Sequence, residues 1–322
     1  MPQTYLSLIE KEIQSLKLDN RPAELYEPIR YMLNIGGKRI RPVLVLMGNE
    51  LFGGNTETVL KAATGIEVFH NFTLLHDDIM DNAPLRRSKT TVHEKWNSNI
   101  AILSGDTMFV QSCQLVSSVD DKHLRKVLNL FYKTAIEVCE GQQLDMNFEK
   151  LDNVTIDEYI EMISLKTAVL LGCALSVGAI CAGANDSDAQ KIYDFGKNLG
   201  IAFQLKDDIL DAYGDSSKFG KKVGGDIIAN KKTYLLIKAL QLAQEVQKNE
   251  LLQLLSSKTI SETEKVNSVL NIFNDLNIRK ISEDASASFY QLALENLNTI
   301  STTPEKKAPL LELARGLMVR EN

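Results

Sequence analysis

Two clusters of aspartates share the spacing DDxxD, and each follows a phenylalanine and an apolar stretch. Their members are Asp77, Asp78 and Asp81 in FTLLHDDIMD and Asp207, Asp208 and Asp211 in FQLKDDILD. Residues four apart lie on one face of a helix, so the first and last aspartate of each cluster point the same way. Pro84 and Gly214 follow closely, which predicts that each cluster lies in the last turn of its helix.

Aspartates at the C-terminal end of a helix are unfavourable for two reasons. The helix dipole places partial negative charge there, and like charges four residues apart repel each other. A bound cation removes both penalties, and carboxylates without a nearby cysteine favour Mg²⁺, which also accepts water and phosphate ligands. The pair of clusters therefore predicts a Mg²⁺ site for a phosphate-bearing substrate. An exposed acidic helix end is the alternative for either cluster alone.

Basic residues near the clusters suit the binding of phosphate. Arg86 and Arg87 directly follow the first cluster, and His70 lies two helical turns before Asp77, near the same face. A packing role is the alternative for His70 and for His76. The other basic candidates lie at a predicted helix start in GGKRIRP, in an apolar helix, or after the second cluster: Lys38, Arg39, Arg41, Lys166, Lys221, Lys231 and Lys232.

The elements that must position these residues are helices. An apolar period of 3.6 residues recurs along nearly the whole chain. Thr56 is expected to cap the long helix that carries the first cluster, and Thr155 with Glu158 has capping-box spacing. No stretch alternates with period two, and no Asn-Gly or Asp-Gly pair marks a hairpin. We predict one all-α domain over 1–322 with ten or more helices, and an irregular segment at 212–229.

Composition narrows the class of protein. The chain has 322 residues, 44% hydrophobic and 24% charged, and its net charge of −6 disfavours nucleic acid as the main partner. The four cysteines form no C-x-x-C pair and are expected to be buried free thiols. The N-terminus lacks signal-peptide features, and the longest apolar run is short for a membrane span. These observations predict a cytoplasmic protein without a membrane span.

In their order along the chain, the motifs resemble the trans-type polyprenyl diphosphate synthases, the family of farnesyl and geranylgeranyl diphosphate synthases. The resemblance covers GGKRIRP at 36–42, LLHDDIMD and its following RR, GQQLD at 141–145, KTA at 166–168, FQLKDDILD, GKKVGGD at 220–226 and KKT at 231–233. It implies the isoprenoid-synthase fold, with antiparallel helices around a deep cavity, and a homodimer. It also implies head-to-tail (1′-4) condensation of isopentenyl diphosphate with an allylic diphosphate, using three Mg²⁺ ions.

The resemblance implies a role for each matching position. The metal-binding positions are Asp77, Asp78, Asp81, Asp207, Asp208 and Asp211. Isopentenyl diphosphate is expected at Lys38, Arg41, His70 and Arg87, and the allylic diphosphate at Arg86, Lys166, Thr167, Gln204, Lys221 and Lys231. A direct part in catalysis is implied for Asp77, Asp78, Asp81, Asp207, Lys166, Thr167 and Lys221. Ser88, Lys206 and Asn230 depart from the residues that are usual in the family, and glycine is usual at 88 and 230.

Product length is expected to depend on residues just before the first cluster. Phe72 lies five residues before Asp77, about 7–8 Å deeper along the helix. In the resembled family a bulky residue here limits the growing chain, so Phe72 and the adjacent Thr73 predict a C15–C20 product. The first cluster lacks the two-residue insertion of many bacterial farnesyl synthases, which slightly favours geranylgeranyl diphosphate. An ordinary core role is the alternative for Phe72.

Three other functions compete with this one. A helical HD-type metal phosphohydrolase would need more histidines than the four present, and it would leave the second cluster unexplained. A terpene cyclase would not need GGKRIRP for a second diphosphate. A non-catalytic subunit of a heteromeric synthase commonly loses aspartates of these clusters, whereas this chain keeps all six.

Overall fold

The computed structural model describes residues 3–18, 21–214, 223–257 and 259–319, and nearly all regular structure in these ranges is helical. The helices are α1 (Gln3–Gln14), α2 (Ala23–Asn34), α3 (Ile40–Leu51), α4 (Leu60–Met80), α5 (Val92–Lys95), α6 (Ser98–Val116), α7 (Asp121–Phe148), α8 (Ile156–Ile163), α9 (Val169–Cys181), α10 (Asp186–Tyr213), α11 (Gly225–Ile228), α12 (Tyr234–Leu242), α13 (Glu245–Ser256), α14 (Glu262–Asp275), α15 (Ile278–Asn298) and α16 (Pro304–Met318). A 3-10 turn, Thr56–Val59, leads into α4, and a π-helical turn, Ser164–Ala168, joins α8 to α9. The all-α prediction is confirmed.

The chain forms two compact units, each assembled from separate stretches of sequence. The first contains Met1–Thr134, Leu171–Tyr193 and Ile300–Pro309, and the second contains Ala135–Leu170, Asp194–Thr299 and Leu310–Asn322. The first aspartate cluster belongs to the first unit and the second cluster to the second. That the chain acts as one domain stays a prediction.

In the first unit, α4 packs against α1, α3 and α6. Helix α3 in turn lies close to the middle of α9, since a β-carbon at Gly48 would come within 2.2 Å of the Leu175 carbonyl oxygen. Most of α4 between Ala62 and Phe69 is therefore buried, including the polar residues Thr64 and Glu67. Polar groups on this part of α4 therefore need hydrogen-bond partners within the protein, because burial without a partner is costly.

In the second unit, two apolar clusters pack against the end of α10. One contains Ile209 together with Leu235, Leu251 and Phe273 from α12, α13 and α14. The other contains Leu205 together with residues of α7, α8 and α12, such as Phe148, Tyr159 and Tyr234. Because Leu205 lies just before the second aspartate cluster and Ile209 lies within it, this packing determines which way the aspartates face.

Several local predictions need correction. Asn55, not Thr56, caps the turn before α4, because its side chain accepts a hydrogen bond from the Glu57 amide. A short hairpin also exists, formed by the strands β1 (Leu85–Arg86) and β2 (Lys89–Thr90). Its turn residues, Arg87 and Ser88, have φ of 50° and 62°, the left-handed values of a two-residue hairpin turn that Asn-Gly usually supplies. The sequence lacked that signal.

Two more expectations are revised. The segment predicted to be irregular contains the end of α10 and the helix α11, while 215–222 lie outside the described residues. All four cysteines are free, but only Cys173 is buried and Cys139 is exposed. Cys139 follows Val138 on α7, and Val138 rather than Cys139 occupies the buried face.

One described helical run is long and apolar enough to cross a membrane. It extends over Ile156–Cys181, and its most apolar window of 18 residues has a mean hydropathy of 1.9 and is 78% buried inside the protein. Such burial is typical of a core helix.

Candidate active site

The first unit gathers basic side chains at the start of α3. Nη1 of Arg41 donates a hydrogen bond to Nε2 of His70 at 3.0 Å. Because an arginine can only donate, His70 accepts at Nε2 and carries its proton on Nδ1. Burial and the charge of Arg41 lower the pKa of His70 well below its usual value, so the imidazole is neutral. Burial also lowers the pKa of Arg41 to about 10, which still leaves the guanidinium charged at neutral pH.

Arg87 lies in the same group. Its guanidinium packs against the backbone of Gly37, where a β-carbon would lie 2.5 Å from Nη1. The charge of Arg87 lowers the pKa of both Arg41 and His70, which places the three side chains close together. Lys38 follows Gly37 and is exposed. The structure therefore brings Arg41, His70 and Arg87 together beside Lys38.

A buried acid, Glu67, supports this basic group. Arg39 is 3% exposed, and its Nη1 lies 2.7 Å from Oε1 of Glu67 while its Nε lies 2.8 Å from Oε1 of Glu10. Asn71 also donates to Glu67, at 3.0 Å. Arg39 is therefore occupied by protein partners. Among the described residues, the buried Nε of its neighbour Arg41 has no hydrogen-bond partner, which suits an incoming anion.

The first aspartate cluster ends α4, with the exposed Asp81 as the residue that closes the helix. Asp78 is buried and accepts from Nε of Arg86 with both oxygens at 2.9 Å, while Nη2 of Arg86 lies 2.8 Å from its Oδ1. Nη2 also lies 3.7 Å from Oδ2 of Asp77. Burial raises the pKa of Asp78, and Arg86 opposes that rise. Arg86, predicted to bind the allylic diphosphate, thus also holds Asp78.

The hairpin positions the two arginines that follow this cluster. Arg86 ends β1 and Arg87 begins its left-handed turn, so the two neighbouring side chains make different contacts. The Thr91 hydroxyl donates to the Ala83 carbonyl at 2.7 Å, which closes the loop that contains the hairpin. The result is that Arg86 contacts the aspartates and Arg87 contacts the basic group.

Aromatic rings pack one helical turn and more before the first cluster. The Phe72 ring centroid lies 5.6 Å from Phe69, 5.4 Å from Phe109 and 4.8 Å from His76. Phe72 and Thr73 are only partly buried, whereas Phe69 is fully buried. Phe72 is therefore not fully enclosed by protein, and its role in limiting product length stays a prediction.

The second cluster holds its middle aspartate with neutral donors. Asp208 accepts a short hydrogen bond from the Tyr159 hydroxyl and another from Nε2 of Gln204 at 3.1 Å. Burial, followed by the negative charge of Asp226, raises the pKa of Asp208 to about 7. Burial and the adjacent Asp208 also raise the pKa of Tyr159 well above its usual value, so the phenol keeps its proton and donates. Thr167 donates to Oε1 of Gln204 at 3.4 Å and extends the chain of contacts.

Lys166 and Thr167 lie in the π-helical turn, a geometry that is frequent at functional sites. Nζ of Lys166 lies 2.5 Å from Oδ2 of Asp145. Helix α7 reaches this turn only because residue 141 is glycine, since a β-carbon there would lie 2.2 Å from the Lys166 amide nitrogen. Two residues of GQQLD thus have a structural explanation. Gly141 allows α7 to approach the π-helical turn, and Asp145 forms an ion pair with Lys166.

The segment after α10 is tied to the last aspartate of the second cluster. The Gly224 amide donates to the Asp211 carbonyl at 2.7 Å, and the Asp226 amide donates to Oδ2 of Asp211 at 2.9 Å. The Lys231 amide then donates to the Asp226 carbonyl at 2.9 Å. The positive charge of Lys231 lowers the pKa of Asp208 and opposes the effects that raise it, so this cation lies within electrostatic range of Asp208.

Comparison with known proteins decides the family. The sequence model of the polyprenyl synthetase family matches residues 22–273. This chain belongs to the polyprenyl synthetase family. The prediction of an enzyme of the prenyltransferase class is thereby confirmed.

Relatives within the polyprenyl synthetase family agree closely. A geranylgeranyl diphosphate synthase of Methanosarcina mazei is 37% identical over 98% of this chain and 95% of its own length. A crystal structure of a geranylgeranyl pyrophosphate synthase superimposes with a TM-score of 0.94 at 45% identity, over 99% of this chain and 98% of that one. A geranylfarnesyl diphosphate synthase of Natronomonas pharaonis is 37% identical over 70% of this chain and 72% of its own.

A further solved structure of the synthetase family contains ligands. It is a polyprenyl synthase from Caulobacter crescentus complexed with calcium and isoprenyl diphosphate, 26% identical with a TM-score of 0.87 over 99% of this chain and 95% of that one. The isoprenoid-synthase fold that the motifs implied is thus shared with proteins of known structure.

The residues of this synthetase suit a hard divalent cation. Both clusters offer carboxylate oxygens at helix ends, and buried Asp208 beside Asp226 leaves negative charge that a cation would offset. Within the described ranges, no three acidic, imidazole or thiol groups converge closely enough to hold a metal by themselves. Mg²⁺ tolerates such an open site because it retains water and takes phosphate oxygens as ligands.

Most predicted site residues of the synthetase lie in the groups described above, although their roles stay predictions. Lys221 lies outside the described residues. Nε2 of His76 donates to the Ile102 carbonyl at 3.2 Å, a contact within the protein that is compatible with the packing role given as its alternative.

Sequence reasoning missed four supporting residues. These are Glu67, Asp145, Tyr159 and Asp226, of which Asp145 and Asp226 stand in GQQLD and GKKVGGD without a role of their own. A signal existed for Glu67, a lone acid between Ile66 and Val68 and three residues before His70. The signal for Tyr159 was absent, because its partner Asp208 is 49 residues away.

Proposed function

We propose that this protein is a short-chain trans-isoprenyl diphosphate synthase that joins isopentenyl diphosphate to an allylic diphosphate. The C–O bond of the allylic diphosphate breaks, the C=C bond of isopentenyl diphosphate forms the new C–C bond, and a proton leaves with the released diphosphate. The observation that carries the proposal is the presence of six aspartates at two helix ends, with Arg86 bound to Asp78 in the first cluster and the charge of Lys231 acting on Asp208 in the second. No side-chain nucleophile is required for this reaction.

The proposal gives each group of residues a task. The aspartates of both clusters would hold Mg²⁺, which supplies positive charge to the departing diphosphate when bound. Arg86, Lys166 and Lys231 add protein cations for the allylic diphosphate. Lys38, Arg41 and Arg87 bind the second diphosphate, and neutral His70 holds Arg41 in place. The aromatic group around Phe72 excludes water from the reacting carbons.

The elongation assay tests the reaction. Purified protein is incubated with Mg²⁺, isopentenyl diphosphate and each of dimethylallyl, geranyl and farnesyl diphosphate, and the products are resolved by chain length. We expect elongation that stops when Mg²⁺ is removed with a chelator and returns when it is restored. Failure to elongate any starter at saturating Mg²⁺ would overturn the proposal.

Product length is proposed as C15–C20, with geranylgeranyl diphosphate slightly favoured. The name of the Methanosarcina mazei relative supports the C20 end of this range, and the Phe72–Phe109 contact of 5.4 Å supports a bulky residue there. Replacing Phe72 with Ala should open space and lengthen the product by one or more five-carbon units. Phe131→Leu serves as the control, because Phe131 is fully buried and packs on Phe69. An unchanged product from Phe72→Ala would remove Phe72 from this role.

A homodimer is part of the proposal. Leu103 and Val110, seven residues apart on α6, are 59% and 56% exposed, and subunit interfaces often cover exposed apolar side chains of this kind. Light scattering after size-exclusion chromatography should give twice the 35.9 kDa chain mass. Leu103→Glu should shift the mass toward that of one chain, and a wild-type monomer would contradict the proposal.

A cytoplasmic location is also proposed. Its support is the four free cysteines, which a reducing compartment maintains. Fractionation of cells that express the protein should recover it with cytoplasmic markers.

A further inference from the structure

Asn230 follows α11 in a left-handed backbone conformation, with φ of 56°. Glycine adopts this conformation freely, and asparagine is among the few other residues that tolerate it. The Asn230 amide donates to the Ile227 carbonyl at 3.2 Å, so the residue closes the short helix. Its side chain is then free to make a contact that glycine could not offer.

That contact is made by Lys265 of α14. Lys265 is 7% exposed, and its Nζ donates to Oδ1 of Asn230 at 2.6 Å and to the Ile228 carbonyl at 3.2 Å. A buried ammonium is costly unless acceptors surround it, so Lys265 favours the arrangement in which both oxygens face it. The lysine thereby caps α11 from outside that helix.

The same turn of α14 also contacts the beginning of the segment. Val266 follows Lys265, and a β-carbon at Gly224 would lie 2.7 Å from both of its methyl groups. Gly224 has φ of 81°, another conformation that glycine adopts without strain. Helix α14 therefore supports segment 224–231 near both of its ends.

Segment 224–231 carries groups that face the second aspartate cluster. The Asp226 amide binds Oδ2 of Asp211, the Lys231 amide binds the Asp226 carbonyl, and the charge of Lys231 acts on Asp208. Asn230 is adjacent to Lys231. A shift of Asn230 would therefore move the Lys231 cation relative to the aspartates.

We propose that Lys265 is a positioning residue that acts through Asn230 to hold Lys231 at the second aspartate cluster, where the allylic diphosphate binds. The inference rests on the proposed function for its effect on substrate. Its structural part, the coupling of Lys265 to segment 224–231, stands independently of any reaction. Lys265 itself does not contact the substrate.

The test compares Lys265→Met, Asn230→Gly and the double variant with the wild type. Lys248→Met is the matched control, because Lys248 is an exposed lysine of α13. Hydrogen–deuterium exchange of the full chain reports on residues 223–233, and steady-state kinetics report KM for geranyl diphosphate and for isopentenyl diphosphate. Asn230→Gly keeps the test available if Lys265→Met folds poorly, since glycine accepts the left-handed conformation.

We expect faster exchange confined to residues 223–233 in both single variants. KM for geranyl diphosphate should rise about tenfold in Lys265→Met, and KM for isopentenyl diphosphate should change by less than about twofold. Asn230→Gly should give a smaller rise because it removes only one of the two acceptors of Lys265, and the double variant should match Lys265→Met because that variant has already lost the contact with Asn230. The control should behave like the wild type.

Unchanged exchange in both single variants would overturn the inference. So would additive effects in the double variant, or equal rises in both KM values, which indicate a general loss of structure. If the wild type elongates no allylic diphosphate while exchange responds as expected, the positioning by Lys265 is supported and only the proposed reaction fails.

Discussion

The two DDxxD clusters differ in what holds the middle aspartate. Both carboxylate oxygens of Asp78, in the first cluster, accept from Arg86, a side chain that is always charged. Asp208 of the second cluster is held by the neutral donors Tyr159 and Gln204, and its pKa rises to about 7 because it is buried. Identical motifs therefore sit in opposite electrostatic settings.

The comparison shows that the first and middle aspartates of the motif have different surroundings. In both clusters the middle aspartate is buried and committed to protein contacts, while the first aspartate is more accessible. The first cluster contains its own countercharge, whereas the second has more negative charge to be offset by a bound cation. We expect replacement of the first aspartate to lower kcat equally in both clusters. Replacement of the middle aspartate should strongly lower the free energy of unfolding only in the first cluster.

The largest effect should come from the first aspartate of each cluster. Asp77→Asn and Asp207→Asn keep the side-chain shape but weaken Mg²⁺ binding, and each should lower kcat about 10³-fold, the scale of losing one electrostatic contact to the transition state. Steady-state elongation kinetics at saturating Mg²⁺ provide the measurement. Asp275→Asn, an exposed aspartate of α14, is the control. Near-normal turnover by either variant would show that its cluster is not used as proposed.

The middle aspartates should differ in stability. Asp78→Asn leaves the partly buried Arg86 without its carboxylate and should lower the free energy of unfolding by about 2–3 kcal/mol. Asp208→Asn removes a buried charge beside Asp226 and should stay within about 1 kcal/mol of the wild type. Urea unfolding in Mg²⁺-free buffer measures both. Equal losses would mean that the difference between Arg86 and Tyr159 has no energetic consequence.

A smaller effect concerns His70, which is kept neutral beside Arg41 in the first unit. Its folded pKa is depressed, so below the usual pKa of about 6.5 the unfolded chain binds a proton that the folded protein excludes. The contribution of neutral His70 to the free energy of unfolding is therefore fully present above the usual histidine pKa and is lost as the pH falls below it. Between pH 7.5 and 5.5 the loss should be about 1 kcal/mol, and His70→Gln should lack that part of the pH dependence. Parallel unfolding curves of the two proteins across this range would contradict the assignment.

The smallest effect compares two left-handed residues. Ser88 in the hairpin and Asn230 after α11 have φ of 62° and 56°, but a side-chain contact from Lys265 is established only for Asn230. Ser88→Gly should raise the free energy of unfolding by about 0.5–1 kcal/mol by removing strain. Asn230→Gly should not raise the free energy of unfolding, because this change also removes the contact with Lys265. Thermal unfolding measures both changes, and stabilisation of both variants would show that the contact contributes nothing.

Local patterns were enough for the helices and the motifs. Apolar periodicity predicted the all-α fold, and the capping box at Thr155 and Glu158 is present in both directions. The hairpin was missed because Arg87 and Ser88 give no turn signal, and their left-handed conformation is imposed by contacts such as that of Arg86 with Asp78. Cys139 was misjudged because one position around α7 separates a buried side chain from an exposed one.

The sequence by itself determined which groups are available for chemistry: six carboxylates in two DDxxD clusters and basic residues that can match phosphate. These follow from residue type and short spacing, which helix geometry converts directly into a shared face. Only the tertiary structure decided which partner each charged group has. Tyr159 with Asp208, Lys265 with Asn230 and Arg39 with Glu67 join residues far apart in the chain, and burial, which makes these contacts strong, exists only once the helices have packed.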